Sequence, residues 1–146
     1  HPGDHLPLTP RSTLRVALDY AVTSKWSVGA NIIAASGMYL MGNENNANQA
    51  GGVTDDGQGD EVIGSGRIGG YTVVNLHTDY QVTPQVDVFL RLTNLFNRRY
   101  GTSGFLTDSG FNADGTFRQD PDEDTNENFV APAPPRAAWL GVRVRL

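Results

Sequence analysis

The sequence predicts an all-β protein of antiparallel strands, and three observations carry that expectation. Apolar and polar residues alternate through several stretches, most clearly 72–82 and 86–93, and successive side chains on a strand point to opposite faces. A ten-residue segment recurs: DYAVTSKWSV at 19–28 returns as DYQVTPQVDV at 79–88, sixty residues on. Each copy holds a short turn, and a long polar loop separates the copies. Membrane-spanning β-barrels show that asymmetry between their two ends. No apolar run approaches the roughly 18 residues of a transmembrane helix, and a barrel would show none because its strands alternate.

Composition narrows the functional classes. A length of 146 residues corresponds to one domain. Eleven basic against sixteen acidic residues give a formal charge of −5, which argues against a nucleic-acid partner, since phosphates call for a basic face. Without cysteine there is neither a disulfide framework nor a thiolate metal site. The chain opens on His1-Pro2-Gly3 with no initiating Met and no signal peptide, and it reads as a fragment of something longer.

In chain order, residues 1–10 form a Pro/Gly-rich loop. A strand over 11–22 puts Leu14, Val16, Leu18, Tyr20 and Val22 on one face and Arg15, Ala17, Asp19 and Ala21 on the other. After a three-residue turn at Thr23-Ser24-Lys25, a strand over 26–41 carries Trp26, Val28, Ala30, Ile32 and Ala34 on its apolar face, with Ile33 and Ala35 blurring the polar one. Residues 43–70 are a long acidic loop that includes Glu44, Asp55, Asp56, Asp60 and Glu61. The hairpin 70–100 follows, turning at Thr83-Pro84 and breaking its alternation only at Phe89. Residues 101–135 are a second long loop, with a small hairpin turning at 112–115 between Phe111 and Phe117. The last strand, 137–146, opposes Leu140, Val142, Val144 and Leu146 to Gly141, Arg143 and Arg145. Five full-length strands are too few for a closed barrel, which needs about eight.

The hairpin ends in Asn94-Leu95-Phe96-Asn97 and Tyr100; a Pro135-Arg136 pair and a short amphipathic strand then close the chain. That ordered combination resembles the C-terminus of TonB-dependent outer-membrane receptors, and the resemblance covers essentially the whole chain. It implies a transmembrane antiparallel β-barrel of 22 strands, of which these are the last five, with residues 1–146 the C-terminal part of the barrel domain and the plug domain lying elsewhere. It further implies import of a scarce ligand across the outer membrane of a Gram-negative cell. A ferric siderophore is the commonest class, with cobalamin, haem and oligosaccharides behind it. The implied partners are outer-membrane lipid, the plug, the TonB complex reached through the missing N-terminal region, and the barrel-assembly machinery reading the last strand. The competing readings are an outer-membrane β-barrel enzyme and a soluble β-sandwich domain.

The residues themselves suggest three groups. Tyr20, Trp26 and Tyr80 lie on the apolar face beside the short turns, where a membrane-interface girdle belongs. Arg15, Asp19, Asn75, His77, Asp79, Arg91, Arg143 and Arg145 lie on the polar face and would line the lumen. Phe105, Phe111, Asn112 and Phe117 stand in the second loop as ligand contacts. His77 and Asp79 share a face, as a general-base pair would, but a spacing of two is only strand alternation, and no catalytic residue is assigned. Asp120, Asp122, Glu123, Asp124 and Glu127 offer oxygens to calcium, yet an EF-hand would need Gly at Thr125 and Glu at Ala131, so no metal site is assigned. The glycines at 64–70 lack the Lys-Ser/Thr of a phosphate-binding loop, and no cofactor is expected.

Overall fold

Alternating strands resolve into a two-faced sheet. The structure, a computed structural model, describes residues 3–53, 61–112, 114–118 and 125–145. In chain order the strands are β1 (Thr13–Thr23), β2 (Trp26–Ala35), β3 (Met38–Tyr39), β4 (Gly52–Val53), β5 (Glu61–Val62), β6 (Arg67–Ile68), β7 (Tyr71–Thr83), β8 (Val86–Thr93), β9 (Gly101–Ser109), β10 (Thr125–Pro132) and β11 (Ala137–Val144). They form two compact units. A wall unit holds Ser12–Ser36, Gly70–Tyr100 and Ala133–Leu146, and a loop unit holds His1–Arg11, Gly37–Gly69 and Gly101–Pro132.

The wall is one antiparallel sheet in the order β1-β2-β7-β8-β11. Its register puts Tyr20, Val28, Thr78, Leu90 and Leu140 in one row across all five strands. The adjacent row, on the opposite face, is Asp19, Gly29, His77, Arg91 and Trp139. Leu14, Leu18, Tyr20, Leu90, Leu140 and Val142 are all exposed on the apolar face. An uncovered apolar sheet face of this extent marks contact with lipid or another apolar surface. Among the described residues β1 and β11 each pair on one side only, so the sheet is open.

Both copies of the repeat build the same hairpin end. Each closes on two residues, Ser24-Lys25 and Pro84-Gln85, rather than the three expected, because a register shift absorbs one residue just before the turn. Thr23 and Thr83 then accept the N–H of Lys25 and Gln85 on their hydroxyls at 3.2 and 3.3 Å. The carbonyls of Lys25 and Gln85 accept an N–H from the next strand, Gln81 at 2.8 Å and Arg145 at 2.9 Å.

At the other end, the Asn-Leu-Phe-Asn segment forms a knot. Asn94 and Asn97 both take left-handed backbone, with φ 49° and 50°, a region Asn tolerates better than most residues. Asn94 Nδ2 donates to the carbonyls of Arg98 and Pro134 at 2.9 and 3.2 Å, and its Oδ1 accepts the Arg98 N–H at 2.8 Å. Asn97 Oδ1 accepts the Arg136 N–H at 3.0 Å. The two asparagines thus tie the end of β8 to the start of β11 across the excursion through β9 and β10.

Two expectations need correction here. The strand expected over 26–41 stops at Ala35, where Ser36 N–H donates to the Ser12 carbonyl at 2.9 Å and the chain leaves the wall. Residues 43–70 and 101–135 are not structureless loops. They supply β4, β5 and β6 and the longer pair β9 and β10, whose antiparallel ladder runs from Thr125↔Ser109 to Pro132↔Gly101. β5 runs parallel to β10, and β3 pairs with β6. Met38, Leu40, Val62, Ile68 and Leu106 form a small core against which Leu8 packs. Asn43, with no exposed surface, donates to the carbonyls of Asn48 and Gly66 at 2.9 and 3.1 Å and accepts the Asn48 N–H at 3.0 Å. A buried amide is tolerated in such a core because its bonds are made.

Candidate functional site

The polar face of the wall carries a chain of charge contacts. His77 Nε2 and Asp19 Oδ1 lie 2.8 Å apart across β2. Gly29 between them makes the contact possible, since a Cβ there would sit inside the imidazole and only 2.7 Å from Asp19 Oδ1. Asp79 is claimed from the other side: Arg91 donates to both its oxygens, at 2.9 and 3.0 Å, the bidentate geometry that makes such pairs strong. His77 and Asp79 therefore form no dyad with one another. The imidazole joins the carboxylate of the first repeat, and the second repeat's carboxylate joins an arginine. Asp87, nearly buried, pairs with Arg145. Asn75 Oδ1 accepts the Asn94 N–H at 2.9 Å and so serves the knot.

Phe89, the exception to the alternation, has a role in this array. Its ring lies across Gly141, where a Cβ would collide with it, and the Arg91 and Arg143 guanidinium carbons sit 5.2 and 5.8 Å from its centroid. Cations near a ring face are attracted by its quadrupole. Trp139 stands on the same face with 53% of its surface exposed. Sequence reasoning assigned roles to neither aromatic; the alternation break at Phe89 was the available signal. Arg15 is placed on this face opposite Ile33, in a row with Val73. Ile33 and Ala35, which blur the pattern, face Val73 and Tyr71, so the polar face turns apolar away from the short turns.

On the apolar face, Trp26 pairs with Tyr80 across β2 and β7, and Tyr20 lies two rows further from the turns, opposite Val28. Trp26 Nε1 donates to Thr78 Oγ1 at 2.8 Å, and that hydroxyl donates to the Ser27 carbonyl at 2.8 Å. The apolar ring system is thereby fixed by its one polar atom.

The loop unit brings a second group together. Phe105 and Phe129 face each other across β9 and β10 with stacked rings 5.6 Å apart, exposed by 50% and 37%, and Met41 bridges to Phe105 from the other side. Phe111 and Phe117 meet edge to face at 5.8 Å, closing the expected small hairpin. Asn112 serves that turn: its Nδ2 donates to Thr116 Oγ1 at 3.0 Å, and the Thr116 hydroxyl donates on to Asp114 Oδ1 at 2.6 Å. With the Thr116 N–H also donating to it at 2.9 Å, the Asp114 carboxyl is held below the ordinary aspartate pKa, the hydroxyl bond being the larger cause. Of the ligand candidates, the structure joins Phe105 to Phe129 and Met41, which sequence reasoning missed, and separately joins Phe111, Asn112 and Phe117. Asp55, Asp56, Asp60, residues 120–124 and Leu146 lie outside the described residues. No cluster of potential metal ligands occurs among the described residues.

Charge divides with the units. The loop unit contains thirteen carboxylates against three arginines, and the wall three carboxylates against eight lysines and arginines, a formal −10 against +5.

This architecture has known counterparts. The ferric-catecholate import receptor Fiu of E. coli K12, in its closed form, superposes at a TM-score of 0.60 with 22% identity, over 95% of this chain and 15% of its own. The siderophore receptor PiuA of Acinetobacter baumannii gives 0.62 with 17% identity over 94% and 14%. The ferric yersiniabactin uptake receptor FyuA of Yersinia pestis gives 0.56 with 16% identity over 97% and 17%. At these identities the likeness is one of fold, and the chain spans less than a fifth of each structure. No curated protein matches the sequence. The profile of the family described as TonB dependent receptor-like, beta-barrel, matches residues 1–95, and the chain belongs to that family.

Proposed function

We propose that this chain is the C-terminal portion of the barrel of an outer-membrane TonB-dependent receptor that imports a ferric siderophore. On this reading the apolar face meets lipid, with Tyr20, Trp26 and Tyr80 at the periplasmic interface. The polar face, from Arg15 and Asp19 to Arg143 and Arg145, lines the lumen and meets the plug. The loop unit stands outside the cell. Coupling to the TonB complex and the plug belongs to the rest of the full-length protein, and the barrel-assembly machinery would read the last strand. Family membership and the siderophore receptors of like fold support the class.

The observation that carries the ligand reading is the exposed Phe105–Phe129 stack with Met41 beside it. Exposed aromatic pairs on a rigid support are efficient binding anchors, because little rotamer freedom is lost on contact. Their setting is acidic, so the anchors rather than the carboxylates would touch an anionic chelate, and a neutral or cationic ferric complex would suit the loop unit's charge better. The test is binding of ferric complexes of opposite charge, a catecholate and a hydroxamate, to full-length receptor with Phe105→Ala and Phe129→Ala together. We expect affinity for the preferred complex to fall tenfold or more, about 1.4 kcal/mol, in a barrel that keeps its heat-modifiable migration. Unchanged affinity for both complexes would move recognition elsewhere in the receptor.

A further inference from the structure

The knot at the end of β8 presents more than it needs for chain reversal. Phe96, with 73% of its surface exposed, projects from it, and the Leu95 N–H just before it donates to the Val74 carbonyl at 2.9 Å. This lays the segment against β7. Beside it lies a groove of about 560 Å³ whose lining includes Ala34, Thr72, Val74, Phe96 and Arg98. Ala34, Thr72 and Val74 belong to the apolar face of the wall, Ala35 and Tyr71 at the strand ends complete the lining with Gly70, and Arg98 brings a guanidinium to it. Arg99 follows in sequence, and Asn97 holds the Arg136 backbone to the same knot. All three arginines are exposed, and none pairs with a carboxylate among the described residues. The wall's excess positive charge is thus partly concentrated at the end opposite the two-residue turns, where the apolar face stops.

We propose that this groove binds one phosphorylated lipid of the surrounding leaflet, its acyl chain along Ala34, Thr72 and Val74 against Phe96, and its phosphate held by Arg98 with Arg136. The proposal rests on the reading of the apolar face as membrane-facing. The physical case is complementarity at both ends of one cleft. Small side chains leave room beside a large aromatic, and the volume falls within the roughly 300–1,000 Å³ range of small-molecule sites. Guanidinium forks match phosphate oxygens bidentately. Basic groups flanking an apolar surface at a membrane interface each contribute about 1 kcal/mol toward an anionic headgroup, which corresponds to about fivefold in affinity.

The experiment is native mass spectrometry of the detergent-purified full-length receptor, titrated with phosphatidic acid and with phosphatidylcholine of the same acyl chains. We expect the wild type to prefer phosphatidic acid, Arg98→Gln and Arg136→Gln each to reduce that preference about fivefold, and Arg98→Lys, which keeps the charge but not the fork, to fall between wild type and Arg98→Gln. Phe96→Ala should weaken both lipids equally. Equal preference in the wild type and the Arg98→Gln/Arg136→Gln variant would overturn the proposal. So would displacement of the lipid by millimolar inorganic phosphate, which would mean a free-anion site. Flotation with phosphatidylcholine vesicles separates this from the reading beneath it: a receptor that fails to float in any form refutes the membrane assignment, whereas one that floats without headgroup selectivity refutes only the lipid site.

Discussion

At the scale of single residues, the structure turns on positions where a side chain is either absent or fully used. Gly29 is absent in this sense, since any Cβ there would occupy the space through which His77 reaches Asp19. Gly29→Val should therefore separate the pair while leaving the strand intact, and the imidazole signals of His77 in an NMR spectrum of the refolded receptor would report the loss. Asn94 is fully used, with both ends of its amide bonded and φ in the left-handed region. Asn94→Ala strands two carbonyls and an N–H, and should cost about 2–3 kcal/mol by the usual penalty for orphaned partners, measurable as a shift in the urea unfolding midpoint. Asp114 gives a pH dependence of definite sign. Its carboxyl titrates below the ordinary value because Thr116 donates to the ionised form. Its contribution to the turn is present above the unfolded-state pKa, near 3.9, and is lost as pH falls through the lower folded value. The protection of the Thr116 amide, its exchange rate relative to the pH-dependent intrinsic rate, should fall on acidification in the wild type, and in Asp114→Asn it should lose that dependence.

At the scale of elements, the wall strands are defined by which face each side chain takes. Val74 and Leu90 lie on the apolar face, and Asn75 lies on the other. Val74→Arg or Leu90→Arg should cost about 2–4 kcal/mol near the bilayer midplane and less toward an interface, whereas Ala17→Arg, at an exposed position on the polar face, should cost much less. Refolding of the full-length receptor into vesicles would compare the three, and equal tolerance would refute the face assignment. On the proposed reading the hairpin ends also set the orientation. With the two-residue turns inside, Asp114→Cys should be labelled by an impermeant maleimide on intact cells and Lys25→Cys should not. The reverse pattern would invert the topology.

At the scale of the whole molecule, the wall was legible because period-two alternation is a local property and the repeat displayed it twice. The strands over 11–22, 72–82 and 86–93 could be read from their own side chains to within a residue or two, the one expected over 26–41 stops at Ala35, and parity alone assigned Asp19, His77, Asp79 and Arg91 to one face. The signature residues at 94–97 and 135–136 were legible as a motif, though not as the knot they form. What parity could not supply was partnership. It put His77, Asp79 and Asp19 on one face without saying which carboxylate the imidazole meets, and the sheet register joins it to Asp19, fifty-eight residues away and across a glycine. The loop unit was hidden for the same reason. Its strands are short or poor in apolar residues, and β9 and β10 exist because they pair with one another and close over Leu40, Val62 and Leu106. The sequence by itself determined the fold class, the two faces of the wall and its tight turns, because each follows from backbone periodicity and local turn chemistry. Only the tertiary structure decided which charges meet, that the acidic loops fold, and that Phe129 and Met41 join Phe105, because those outcomes depend on register between segments distant along the chain.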